Sequence, residues 1–132
     1  MAEAQYDLIL RNGLIFDGSG GIPLPGDIAI AGDSIARVGI LSGLSGREEV
    51  DLHGLAVSPG FINMLSWADG TLLKDGRSMS DIKQGVTLEV FGEGISPGPR
   101  KRSKRSKLWT TLGGYFDHLE KQGVSTNFAS FV

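Results

Sequence analysis

The sequence predicts an α/β chain whose first half is almost wholly β. Three observations lead there. Over residues 1–57, short apolar runs alternate with turn signals, the spacing of strands and tight turns. After residue 58 the pattern changes to strand–helix–strand–helix–strand, the alternation that builds a parallel sheet. Glycine supplies 20 of the 132 residues, about twice its usual share.

Each element has its own reason. Residues 6–10 read as a strand. Asn12-Gly13 reads as a two-residue hairpin turn, because both central positions of such a turn need positive φ. Residues 14–16 then resume as the partner strand. Residues 17–26 are a loop of Gly, Ser and Pro. Residues 27–31 and 34–38 alternate apolar and polar around Gly32-Asp33, a second hairpin signal. Residues 39–46 show no period and read as a linker. Residues 48–52 and 55–57 are short extended segments around His53-Gly54. Together these predict a meander of about six antiparallel strands.

Ser58-Pro59-Gly60 marks the change. Residues 61–65 form a nearly continuous apolar run, which suits a strand buried on both faces. Residues 80–84 read as a helical turn capped by Ser80 and ended by Gly85. Residues 86–91 are β-branched and aromatic, a second buried strand. Thr110 or Thr111 opens a helix in which Leu112, Tyr115, Phe116 and Leu119 follow the helical apolar spacing, and Gly123 closes it. Residues 127–132 begin a third strand. The three strands are expected to lie parallel and in sequence order. A three-stranded parallel sheet needs cover on both faces. The last run ends on Phe131-Val132, so the expectation is the N-terminal piece of a longer, enzyme-sized chain.

Composition narrows the chemistry. The chain has no cysteine, which excludes disulfides, a Cys-ligated zinc finger, a thiol nucleophile and an iron–sulfur cluster. Its two histidines, His53 and His118, cannot make a multi-histidine metal site. No apolar run is long enough for a transmembrane helix. The N-terminus carries acids where a signal peptide needs bases, which suggests a cytoplasmic protein. Residues 1–99 hold 13 acids and 6 bases, a balance of −7, whereas residues 100–107 hold 6 bases and no acid. That run could contact a phosphate backbone or an acidic partner. No aromatic residue is interleaved to stack on bases, so a solvated loop is the favoured reading.

Four stretches carry a family resemblance: Asp7-Leu-Ile-Leu-Arg-Asn-Gly13, Gly26-Asp-Ile-Ala-Ile-Ala-Gly-Asp33, Ile35-Ala-Arg-Val-Gly39 and Leu55-Ala-Val-Ser-Pro-Gly-Phe-Ile62. In this order they resemble the start of the amidohydrolase superfamily. Gln84-Gly-Val-Thr-Leu-Glu-Val90, Gly92-Glu-Gly94 and Gly123-Val-Ser-Thr-Asn-Phe-Ala-Ser-Phe-Val132 resemble, more narrowly, the N-acyl-D-amino-acid deacylases (D-aminoacylases). The resemblance implies that residues 1–57 belong to an antiparallel β-sandwich domain built from both ends of a full chain. It implies that residues 58–132 are the first three strands and two helices of a TIM-type (β/α)8 barrel, truncated here. It further implies hydrolysis of the amide of a small N-acyl-D-amino acid by metal-bound water, usually on zinc. Neither a membrane nor a nucleic acid is implied as a partner. The piece alone is expected to be inactive, because the rest of the barrel must complete the site. The other readings are a small binding module using the basic loop and an inactive relic.

Two departures bear on the metal. The family's usual His-x-His after the first barrel strand is replaced by Leu65 and Trp67, neither of which can coordinate. A complete two-metal centre of the common type is thereby excluded. The deacylases' Gly-Asn-Cys-Gly corresponds to Gly92-Glu-Gly94, one residue shorter, with Glu93 on or beside the cysteine's place. A carboxylate is a competent zinc ligand, so Glu93 is either a ligand or a loop acid that binds backbone amides or solvent. Ser96 lies in Ser-Pro-Gly-Pro, which is first a turn. Asp69 follows the first strand and stands near the expected mouth. Trp67 reads as packing or as the wall of an acyl pocket. His53, Asp17 and Asp33 read as turn residues, and His118 as an exposed helix residue.

Overall fold

A computed structural model describes residues 4–99 and 108–132. The chain divides into two compact units, one ending at Pro59 and the other running Gly60–Val132. The basic run 100–107 lies outside the described residues.

The first unit is a five-stranded sheet of β1 (Tyr6–Ile15), β2 (Leu24–Ala31), β3 (Ser34–Gly39), β4 (Gly46–Asp51) and β5 (Ala56–Val57). The order is β3-β2-β1-β4, with β5 also pairing β1. The hairpin expected at Gly32-Asp33 is present, and β2 and β3 pair antiparallel across it. The hairpin expected at Asn12-Gly13 is not. Both residues lie inside the single long strand β1. The register against β2 slips by one between Leu10↔Ile28 and Gly13↔Gly26, so one extra residue of β1 forms a bulge. Asn12 takes φ 56°. Its N–H donates to Asp27 Oδ1 at 2.9 Å, and its carbonyl accepts from Gly54 N–H at 2.8 Å. The same positive φ that suits a hairpin serves a bulge, and these partners on both sides hold Asn12 within the strand.

The expected all-antiparallel sandwich portion is also corrected. The sheet is mixed, because β4 and β5 run parallel to β1. A parallel neighbour requires a crossover, and residues 40–45 provide it between β3 and β4. That segment is more than a linker: Leu41 is buried with Ile9 and Ala29, and Leu44 packs against them. Arg11 ties the crossover down. Its guanidinium donates to Leu41 O at 3.0 Å, Leu44 O at 2.7 Å and Glu49 Oε2 at 2.9 Å, and it pairs with Asp27 at 3.3 Å. Burial works to raise the Asp27 pKa, but N–H donors from Asn12 and Leu41 and the Arg11 charge hold it below the usual carboxylate value.

The second unit contains β6 (Phe61–Asn63), α1 (Met79–Ile82), β7 (Val86–Phe91), α2 (Leu112–Gln122) and β8 (Asn127–Ser130). The three strands are parallel and lie in the order β6-β7-β8. Leu72, Phe91, Tyr115 and Leu119 form the core, with Trp109, Phe116 and Phe128 packed on it. Thr111 caps α2 by accepting from Gly114 N–H at 3.0 Å, and Gly123 ends it at φ 82°.

Three expectations need correction here. The first strand is not buried on both faces, since Phe61 and Ile62 are 57% and 55% exposed. Ser80 does not cap α1; Ser78 stands at that position and its side chain makes no capping bond. His118 is half-buried rather than exposed, with its ring centroid 5.4 Å from that of Trp109.

Candidate active site

Parallel strands present their C-terminal ends together, and in barrel enzymes that end carries the chemistry. The segments after β6 and β7 meet there around a cavity of about 190 Å³ lined by Leu65, Trp67, Asp69, Glu93 and Ile95. Ser66 N–H donates to Val90 O at 3.0 Å, which carries the β6–β7 pairing beyond β6 itself. Gly94 lies under the indole of Trp67: a Cβ there would fall 2.4 Å from the ring. Glycine at this position is therefore a packing requirement of the aromatic wall.

The structure brings together Trp67, Asp69 and Glu93 from the sequence candidates and leaves the others elsewhere. Glu93 is exposed at the rim, and Asp69 is half-buried. Asp69 O accepts from Tyr115 O–H at 2.8 Å, which anchors that loop to the core. Ser96 is engaged as a turn residue: its hydroxyl donates to Gly98 O and lies 3.0 Å from Phe131 O. His53 is exposed with φ 50° beside Asp51, whose carboxylate accepts from its N–H at 2.9 Å. Asp17 closes a turn by accepting from Ser19 N–H at 2.9 Å. Asp33 contacts Ser34 Oγ at 3.2 Å in the β2–β3 turn.

The residues present do not fit a zinc centre. A catalytic zinc takes about three protein ligands. Among the described residues no group of three His, Cys, Asp or Glu is placed to hold a metal. Leu65 and Trp67 occupy the wall with carbon.

Sequence reading missed the buried polar cluster behind this wall. Glu89, in the middle of β7, is fully buried. Its carboxylate accepts from Ser66 Oγ at 2.6 Å, Ser78 Oγ at 2.7 Å and Thr126 Oγ1 at 3.1 Å. The available signal was its position two residues before Phe91, hence on the same strand face as a core aromatic. A polar group buried there must be hydrogen-bonded.

Comparison with known proteins places this geometry. No protein-family model matches the chain. A solved D-aminoacylase structure, described as defining a novel subset of amidohydrolases, superposes with a TM-score of 0.76 at 30% identity, over 96% of this chain and 29% of that one. The fold is thus that of part of an amidohydrolase. An N-acyl-D-glutamate deacylase from Bordetella bronchiseptica, solved with zinc and a phosphonate inhibitor, superposes with a TM-score of 0.85 at 26% identity, over 98% of this chain and 30% of that one. In sequence, an N-acyl-D-aspartate deacylase of Alcaligenes xylosoxydans xylosoxydans is 37% identical over 113 residues, 85% of this chain and 23% of the relative. The chain belongs with the N-acyl-D-amino-acid deacylases of the amidohydrolase superfamily, and it spans about a quarter of the length of the relatives it matches. Among the described residues, no helix is long and apolar enough to cross a membrane.

Proposed function

We propose that this chain forms the first part of an enzyme that hydrolyses the amide bond of N-acyl-D-amino acids. The observation that carries the reading is the coincidence of two facts. The sequence matches an N-acyl-D-aspartate deacylase at 37% identity, and a cavity opens at the C-terminal ends of adjacent parallel strands. Residues 1–57 then belong to a composite β-sandwich domain, and residues 58–132 to the first strands and helices of a (β/α)8 barrel. The exposure of Phe61, Ile62 and Met64 supports further chain packing against this sheet.

Within that enzyme the chain supplies one wall of the site. Leu65, Trp67 and Ile95 exclude water and offer apolar surface to an acyl chain or side chain. Glu93 is the carboxylate this wall presents at the rim. The described residues do not make a metal set, so any metal that the whole enzyme uses is held chiefly by other residues. The 132-residue chain alone is accordingly inactive. The test is release of free D-amino acid from N-acetyl-D-amino acids, run with the native gene product and with the 132-residue chain in parallel. Activity in the first and none in the second is the expected result. Turnover by the 132-residue chain, or none by either, overturns the reading.

A further inference from the structure

We infer that Glu89 is a positioning residue: its buried carboxylate, through Ser66, holds Leu65 and Trp67 in place as the wall of the cavity. What that wall does rests on the proposed function. The mechanical claim does not.

The geometry is specific. Ser66 is buried, while Leu65 and Trp67 on either side of it are 51% and 63% exposed, and all three border the cavity. The Ser66 hydroxyl donates to Glu89 Oε2 at 2.6 Å and accepts from Ala68 N–H at 3.2 Å. One oxygen thereby closes the turn that carries Trp67 and ties it to β7. The other carboxylate oxygen takes Ser78 and Thr126, one from the turn before α1 and one from the segment before β8. A single side chain thus joins three connecting segments.

Two independent features indicate that this junction is maintained against a cost. A buried carboxylate is expensive unless it is hydrogen-bonded, and both oxygens of Glu89 are, one to Ser66 and the other to Ser78 and Thr126. Ser78 is held in the left-handed region at φ 45°, ψ 43°. A non-glycine residue stays there only when its surroundings over-determine it. Its hydroxyl is spent on Glu89 at 2.7 Å rather than on capping α1. An apolar residue facing the Phe91 core would be cheaper to bury. A buried polar group in place of carbon can fix one arrangement, and here it ties the segment after β6 to the turn before α1 and the segment before β8.

The test reads Trp67 directly, with no substrate. In the 132-residue chain, replacing Trp109 with Phe leaves Trp67 as the sole tryptophan. Fluorescence anisotropy decay is then measured with Ser66→Ala and with Glu89→Gln, beside the control Phe116→Leu. The control loosens the core where Phe116 meets Phe128 and removes none of the clamp's hydrogen bonds. In the background chain Trp67 should tumble with the protein. Ser66→Ala and Glu89→Gln should each add a fast local component, on the sub-nanosecond to nanosecond scale of freed side chains, with far-UV circular dichroism retained. The control should lower the thermal midpoint without adding that component. An unchanged decay in Ser66→Ala, which removes one hydroxyl and leaves the Glu89 carboxyl its other partners, overturns the inference even if Glu89→Gln fails to fold. An equal fast component in Phe116→Leu also overturns it, since Glu89 would then be an ordinary part of the core. Neither outcome bears on whether the enzyme is a deacylase.

Discussion

Leu119→Ala is the sharpest test of how the second unit is built. Leu119 is fully buried, in contact with a cluster of Leu72, Phe91 and Tyr115. The change removes roughly three methylene equivalents, worth about 2.4 kcal/mol of transfer free energy at about 0.8 kcal/mol each. A cavity term adds to this when the neighbours cannot close in. Phe91 and Tyr115 meet edge to face at 77° with centroids 6.3 Å apart, and Tyr115 is further fixed by its bond to Asp69 O. Rigid aromatic walls relax little, so the total should approach about 4 kcal/mol, in the upper part of the range for such truncations. Both tryptophans, Trp67 and Trp109, lie in this unit. Tryptophan emission during urea unfolding therefore reports it selectively. The midpoint should fall by the equivalent of that energy, or the cooperative transition should vanish. A loss below about 1 kcal/mol, the size of a surface substitution effect, would refute the packing of α2 on β7.

Other outcomes follow from the same structure. Thr111→Ala removes the α2 cap and should cost about 1 kcal/mol in the same transition, whereas Thr110→Ala should cost nothing measurable. Asp27 has a folded pKa below its ordinary 3.8. Its folded form holds the proton less tightly, so its stabilisation is complete above about pH 4 and is lost as pH falls through the lower folded value. Unfolding of the first unit followed between pH 5 and 2 should show this loss, and Asp27→Asn should make it shallower without abolishing it, since Asp7, Asp17, Glu49 and Asp51 of the same unit also have lowered pKa values. Arg77 donors hold exposed Asp75 at about 2, and an NMR titration of its carboxyl should find it there; a value near 4 would mean the pair is open in solution. The 132-residue chain should retain no stoichiometric zinc after dialysis. In the whole enzyme, Glu93→Gln should lower zinc content and turnover together by at least about tenfold, or roughly 1.4 kcal/mol in the barrier, if Glu93 is a ligand. Unchanged metal and turnover would make it a turn residue.

Much of the second unit was legible because its signals are local. β7 is found at residues 86–91 as read, and α2 starts from Thr111 and stops at Gly123, where cap and glycine place its ends. The first unit was legible as strands but not as pairings. Asn12-Gly13 states only that the backbone turns left-handed. Whether that makes a hairpin or a bulge depends on Asp27 and Gly54, which are distant in sequence. The parallel placement of β4 likewise depends on Arg11 and Leu41 securing the crossover, contacts that span 30 or more residues. At the site, the amidohydrolase likeness located the mouth and the loss of its histidines. The Glu89 clamp escaped because its hydroxyl partners lie 11, 23 and 37 residues away and share no motif.

The central claim is that this chain is part of an N-acyl-D-amino-acid deacylase. Its most direct test is a chirally resolved amine-release assay on the native gene product that carries this chain, with N-acetyl-D- and N-acetyl-L-amino acids side by side and zinc supplied. Release of the D-amino acid, with the L-substrate left intact, is the expected result. No release from any D-substrate, or equal release from both enantiomers, would contradict it.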